Sequence, residues 1–87
     1  MAATIEFEND RVRVLRVNHL GREEQLSTTR HDRLIIYLNE GHIIRTENGK
    51  KETIQHKAGD VVWRNHSHHQ IENIKDTNHE VIIVEFK

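Results

Sequence analysis

Eight histidines and no cysteine set the chemistry open to this 87-residue chain. Three of them stand in one polar run, Asn65-His66-Ser67-His68-His69-Gln70. Imidazole binds borderline divalent ions well, and it is the side chain that changes charge near neutrality. The run lies between two strand-like segments, 61–64 and 71–74. A strand beginning at residue 69 puts His69, Ile71 and Asn73 on one face. His69 then points inward with an isoleucine behind it, and Asn73, one pleat further, can donate an amide hydrogen bond into the same pocket. His68 faces the opposite way and His66 sits at the crest of the turn. His31-Asp32, just before an apolar run, is a second candidate as a ligand or a carboxylate-oriented base, with a surface turn as its plain alternative. His19, His42, His56 and His79 read as solvated strand-end residues.

The other polar candidates are hydroxyls and guanidiniums. Ser27-Thr28-Thr29 is a hydroxyl-rich patch whose ordinary role is local bonding to the backbone of a loop. Arg30 and Arg33 flank His31-Asp32 as a balanced charged cluster. No serine stands at a spacing that pairs it with His69 as a nucleophile, and there is no HExxH, nucleophile elbow or phosphate-binding glycine loop. Glu23-Glu24 carries no signature of general acid–base work. Without cysteine, disulfides, thiol catalysis and thiolate metal sites are excluded.

These residues are carried on short segments rich in Val, Ile and Thr, with four glycines and no proline between them. Arg11–Val17, Leu34–Leu38, His42–Thr46, Lys50–Ile54, Val61–Trp63 and Glu80–Phe86 all have strand composition. Asn48-Gly49 is a strong hairpin signal. No window holds a helical apolar stripe, and 20–28 reads as an exposed loop. Strands at this spacing predict an antiparallel sandwich or barrel in one domain, residues 1–87. Val12, Val14, Leu34, Ile36, Ile44, Val62, Ile71, Ile82, Val84 and Phe86 are the expected core. The formal charge of −1 gives no warrant for a nucleic-acid or anionic-membrane surface. No segment has the length and apolarity of a signal peptide or a membrane span, so a soluble cytoplasmic protein is expected.

Gly59-Asp60-Val61-Val62-Trp63-Arg64, followed by His69 and Asn73, resembles the second sequence motif of small single-domain cupins. Asn65 and Ser67 replace the proline and glycine common in its turn. Gly41 resembles the glycine that ends the first motif, and Asp76, Thr77 and 80–87 match the family's usual ending. The likeness spans about 11–87. It implies an all-β fold, a small antiparallel β-barrel of the double-stranded β-helix or jelly-roll type. In that family the first motif supplies a His-x-His pair and a glutamate, which join the later histidine around a metal ion. Here the glutamate position falls on Leu34 and the histidine positions on Thr28 and Arg30, or on Ser27 and Thr29.

The expected function is therefore a cupin-like barrel that binds a small polar or anionic ligand without metal catalysis. Arg30 and His69 touch the ligand in this reading, with Thr28, Trp63 and Asn73 around them, and Arg30 supplies a bidentate fork for a carboxylate. One alternative is a metal-dependent enzyme of dioxygenase or isomerase type, rebuilding a zinc, iron, nickel or manganese site from His31, His66 and His69. Another is a structural or regulatory module with an empty barrel. The valines of 11–17, interleaved with arginines, form a candidate edge strand for a two-fold homodimer, as the resemblance also implies.

Overall fold

β-Branched residues fit a pleated surface, and the Val-, Ile- and Thr-rich segments all become strands. The computed structural model describes residues 2–87, the side chains of Gln25 and Leu26 apart. They form β1 (Ala2–Glu8), β2 (Val12–His19), β3 (Glu24–Arg30), β4 (Arg33–Tyr37), β5 (Gly41–Glu47), β6 (Lys50–His56), β7 (Val61–Arg64), β8 (Ser67–Asn73) and β9 (His79–Phe86). A five-stranded sheet in the order β1-β2-β9-β4-β7 packs on a four-stranded sheet in the order β3-β8-β5-β6, with every pairing antiparallel.

The turns follow local chemistry. Asn48 and Gly49 take φ of 52° and 76°, the left-handed pair that a two-residue hairpin needs, and so close β5 onto β6. Gly59-Asp60 ties the approach to β7 onto β4: the Gly59 N–H donates to the Tyr37 carbonyl at 2.7 Å, and the Tyr37 N–H donates to the Asp60 carbonyl at 2.9 Å. Segment 20–28 is not one loop. A turn ends at Glu23, and β3 begins at Glu24 because its backbone pairs with β8.

Inside the barrel the side chains lie in layers. Across β2, β9, β4 and β7, Arg13, Glu85, Arg33 and Arg64 stand in register, and the next inward row is Leu15, Ile83, Ile35 and Val62. Below these come Val17, Val81 and Tyr37, and then His19 beside His79. The other sheet matches this order with Arg45, then Ile43 and Ile54, then Gly41 and His56. An apolar waist thus separates an arginine end from a histidine end.

This layering corrects the expected core. Val62 does pack against the buried cluster of Leu15, Val17, Tyr37, Val81 and Ile83, and Ile71 faces the interior. Val12, Val14, Leu34, Ile36, Ile82, Val84 and Phe86 lie on the outer face of the large sheet, and Ile44 is half-buried outside the small one. The inward rows begin and end in charged or histidine residues, whereas the outward rows are apolar, so apolarity picked the wrong face. Segment 11–17 is not an edge either: β2 pairs with β1 on one side and β9 on the other.

Candidate functional site

The arginine end is an unusual thing to bury, because a charge removed from water needs a partner. Arg33, the first residue of β4, is only 2% exposed. Its Nη1 donates to the backbone carbonyls of His31 and Asn65 at 3.2 and 3.1 Å, and its Nη2 points at Ser67 Oγ at 3.4 Å. Arg45 on β5 donates to the same Ser67 Oγ at 3.1 Å and to Glu47 at 2.8 Å. Glu85 on β9, also 2% exposed, accepts from both Arg13 and Arg30, at 3.2 and 3.3 Å. Arg64 reaches Glu52 at 3.4 Å. Three carboxylates therefore serve five arginines, and among the described residues none forms an ion pair with Arg33. Burial, then the neighbouring charges of Arg45 and Arg30, bring Arg33 down to about 10, with Glu85 opposing them.

Ser67 and His69 are neighbours on the inward face of β8, with Ser67 Oγ 3.0 Å from His69 Nδ1. Two guanidiniums donate to this hydroxyl, so its own proton goes to Nδ1 and the imidazole proton rests on Nε2. Burial, reinforced by Arg33, Arg45 and Arg30, lowers His69 to about 4, so its ring is neutral at pH 7. Arg30, Arg33, Arg45, Arg64 and His69 line one end of a partly open cavity of about 50 Å³. Their free capacity is for donating: N–H groups and positive charge, with no spare acceptor. The chemistry of such a site is the holding of an oxyanion.

At the far end, His19, His56 and His79 are buried rather than solvated, and His42 is half-buried. The His56 ring stacks on Tyr37 with centroids 3.6 Å apart; His79 lies 4.5 Å from His56 and 5.7 Å from His19. Gly41 makes room for them, since a Cβ there would lie 2.6 Å from His79 Cδ2 and press on His56 as well. Among the described residues, neither ring nitrogen of His79 has a hydrogen-bond partner, nor has Nδ1 of His19. Burial holds all three below the usual imidazole range, His79 down to about 3 with His56 and His19 adding to the effect. The signal for these residues was parity: each stands two positions from an inward Val or Ile.

The residues expected at the site divide. Arg30 and His69 line the cavity with Arg33, which the sequence presents as part of a charged cluster, and with Arg45, which no sequence signal singles out. Thr28 pairs in register with His69 on the neighbouring strand but does not line the cavity. Trp63 is 50% exposed on the outer face, where it packs on Phe86 and donates to Asn65 Oδ1 at 2.9 Å. Asn73 is buried but turned to structure: its amide nitrogen donates to the Leu20 and Thr77 carbonyls at 3.1 and 2.9 Å, and its oxygen accepts from the Lys75 N–H. These bonds pin two loops together and leave nothing for the pocket.

His31 and His66 are exposed, with ring centroids 6.1 Å apart, while His69 faces the interior. Among the described residues no group of three or more His, Asp, Glu or Cys is arranged to hold a metal ion. At the resemblance's ligand positions Leu34 lies on the outer sheet face, and Arg30 brings a permanent cation to the cavity. An arginine that repels a divalent ion and one remaining imidazole do not fit the family's metal centre.

Comparisons with known proteins support the architecture. The chain aligns with a cupin domain from Bordetella pertussis at a TM-score of 0.92 and 20% identity, covering 99% of this chain and 92% of that one. A cupin superfamily protein from Desulfitobacterium hafniense gives 0.73 at 17% identity over 98% and 75% of the two chains. A cupin 2 conserved barrel domain protein from Salinispora arenicola gives 0.72 at 18% over 98% and 74%. No family model matches the sequence, and no curated protein does. The fold is thus the antiparallel cupin-type double-stranded β-helix.

Proposed function

We propose that this chain is a cupin-like barrel in which a cluster of arginines stands in place of a metal centre, and that the barrel binds a small oxyanion. The observation that carries this reading is Arg33: a fully buried guanidinium without an ion pair among the described residues, converging with Arg45 on a serine that fixes the proton of His69. An anion between Arg33, Arg30 and His69 would neutralise the uncompensated charge and accept hydrogen bonds from groups that can only donate. Water cannot supply that neutralisation, so bound anion should stabilise the fold. At a hundredfold excess over its dissociation constant the gain is about 2.7 kcal/mol. Thermal unfolding in formate or acetate, with chloride as the ionic-strength control, tests this. The midpoint should rise in wild type and stay put in Arg33→Met. Zinc, nickel, iron and manganese should give no dissociation constant below about 1 μM; a nanomolar metal site lost in His69→Ala would restore the metalloenzyme reading.

A specific observation also favours a homodimer, though not through an edge at 11–17. On the outer face of the large sheet Phe7, Val14, Val84, Leu34 and Trp63 stand in register across all five strands. Phe7, Val61 and Trp63 are each at least half exposed. A sheet face of this kind is well suited to an isologous contact with a second copy.

A further inference from the structure

Resting on the anion-binding reading above, we infer that the ligand is a short aliphatic monocarboxylate, whose headgroup meets the arginines and whose carbon tail enters the apolar waist. The cavity does not stop at Arg33 and His69; its walls continue into Ile35, Ile43, Val81 and Ile83. Ile35 is two residues below Arg33 on β4, one layer or about 7 Å further in. These walls carry no hydrogen-bonding group. An inorganic oxyanion such as sulfate would satisfy some oxygens on the arginines and strand the rest against aliphatic carbon, an unfavourable desolvation. A carboxylate has oxygens on one end only, so its tail can match the wall.

The two ends of the cavity also fix which way the ligand lies. At the far end Tyr37, His19 and His79 offer neutral rings and no permanent charge, so the carboxylate belongs with the guanidiniums. Size then limits the tail. A water-sized group occupies roughly 10–15 Å³ of such space, and the cavity offers about 50 Å³. That is room for three to five heavy atoms, spanning formate, acetate and propionate. Nucleotides, sugars, aromatic acids and fatty acids do not fit within that volume.

Calorimetric titration with formate, acetate, propionate, valerate and sulfate tests the inference. Each buried methylene should tighten binding about fourfold, so affinity should rise from formate to propionate and fall again at valerate, with sulfate weaker than acetate. Ile35→Phe, which fills the waist, should remove the gain in affinity from formate to propionate; Ile43→Phe is the second filling variant. If formate binds but affinity is flat along the series, or sulfate binds as well as propionate, the tail inference falls while anion binding stands. If none of these anions binds, the anion-binding reading itself has failed.

Discussion

Arg33 and Glu85 are equally buried but differ in what surrounds them, and the difference predicts opposite mutant behaviour. Glu85 satisfies Arg13, Arg30 and the His31 backbone N–H, at 3.2, 3.3 and 3.4 Å. Glu85→Ala leaves these cations without their counter-charge and should cost about 3 kcal/mol or more. Arg33→Met loses three hydrogen bonds to neutral acceptors, yet it removes the cost of burying a charge and then the repulsion from Arg45 and Arg30. Replacing a buried ion by an apolar side chain of similar volume is often close to neutral, so stability without ligand should change by less than about 1 kcal/mol. Urea unfolding of both variants measures this, and an Arg33→Met protein as damaged as Glu85→Ala would mean that Arg33 is structural. The buried imidazoles make a second prediction. In the unfolded chain a histidine titrates near 6.5, whereas folded His69 and His79 do so at about 4 and about 3. Between those values the unfolded state holds more protons. Stability is therefore full above pH 6.5 and is lost as pH falls toward 3, by about 1.4 kcal/mol per pH unit for each proton taken up. Urea midpoints at pH 7, 5.5 and 4.5 should decline, and less steeply in His79→Leu. A flat profile would place these rings in contact with water.

At the scale of the strands, composition located seven of the nine elements, leaving β1 unassigned and β3 within a supposed loop, and it did not give their phase. Asn48-Gly49 named its hairpin because only a left-handed pair closes two residues tightly, and that requirement is local. Val81-Ile82-Ile83-Val84 is apolar at every position, so alternation carried no information about which side faces in. The residues that would have set the phase misled instead. Arg13, His19, Arg33, His79 and Glu85 are inward-facing, and a polar residue normally marks the solvent face. Their burial depends on partners from distant strands, Glu85 with Arg30 above all, and such pairs are not visible along one segment. The same limit explains the site: His69 was found from its own strand, whereas Arg33 and Arg45 became meaningful only when Ser67 brought them together. Paired substitutions test the phase. Ile83→Ala should cost about 2–5 kcal/mol through lost burial and a residual cavity. Val84→Ala, from the half-buried outer face, should cost less than half as much. Equal losses would return Val84 to the interior.

The whole molecule joins two sheets, and each has a surface to account for. The Cα radius of gyration is 12.3 Å, close to the roughly 12 Å expected for a compact chain of this length. The interior is divided between ions, aliphatic side chains and stacked imidazoles, so its apolar part is small for a stable domain. Pairing two large sheets through Phe7, Val14, Val84, Leu34 and Trp63 would add a second apolar layer. Light scattering at about 10 μM should give twice the monomer mass, and Trp63→Lys with Leu34→Lys should return it to the monomer mass. A monomeric wild type would reject this assembly.

The most direct test of anion binding is a calorimetric titration of acetate into the protein at pH 7. A four-atom ligand is limited to roughly 6 kcal/mol of affinity, so a dissociation constant near 1 mM, about −4 kcal/mol, is the expected strength. One saturable site is expected in wild type, absent from Arg33→Met at unchanged fold stability. An absence of saturable heat, or an acetate site that survives in Arg33→Met, would contradict the anion-binding reading.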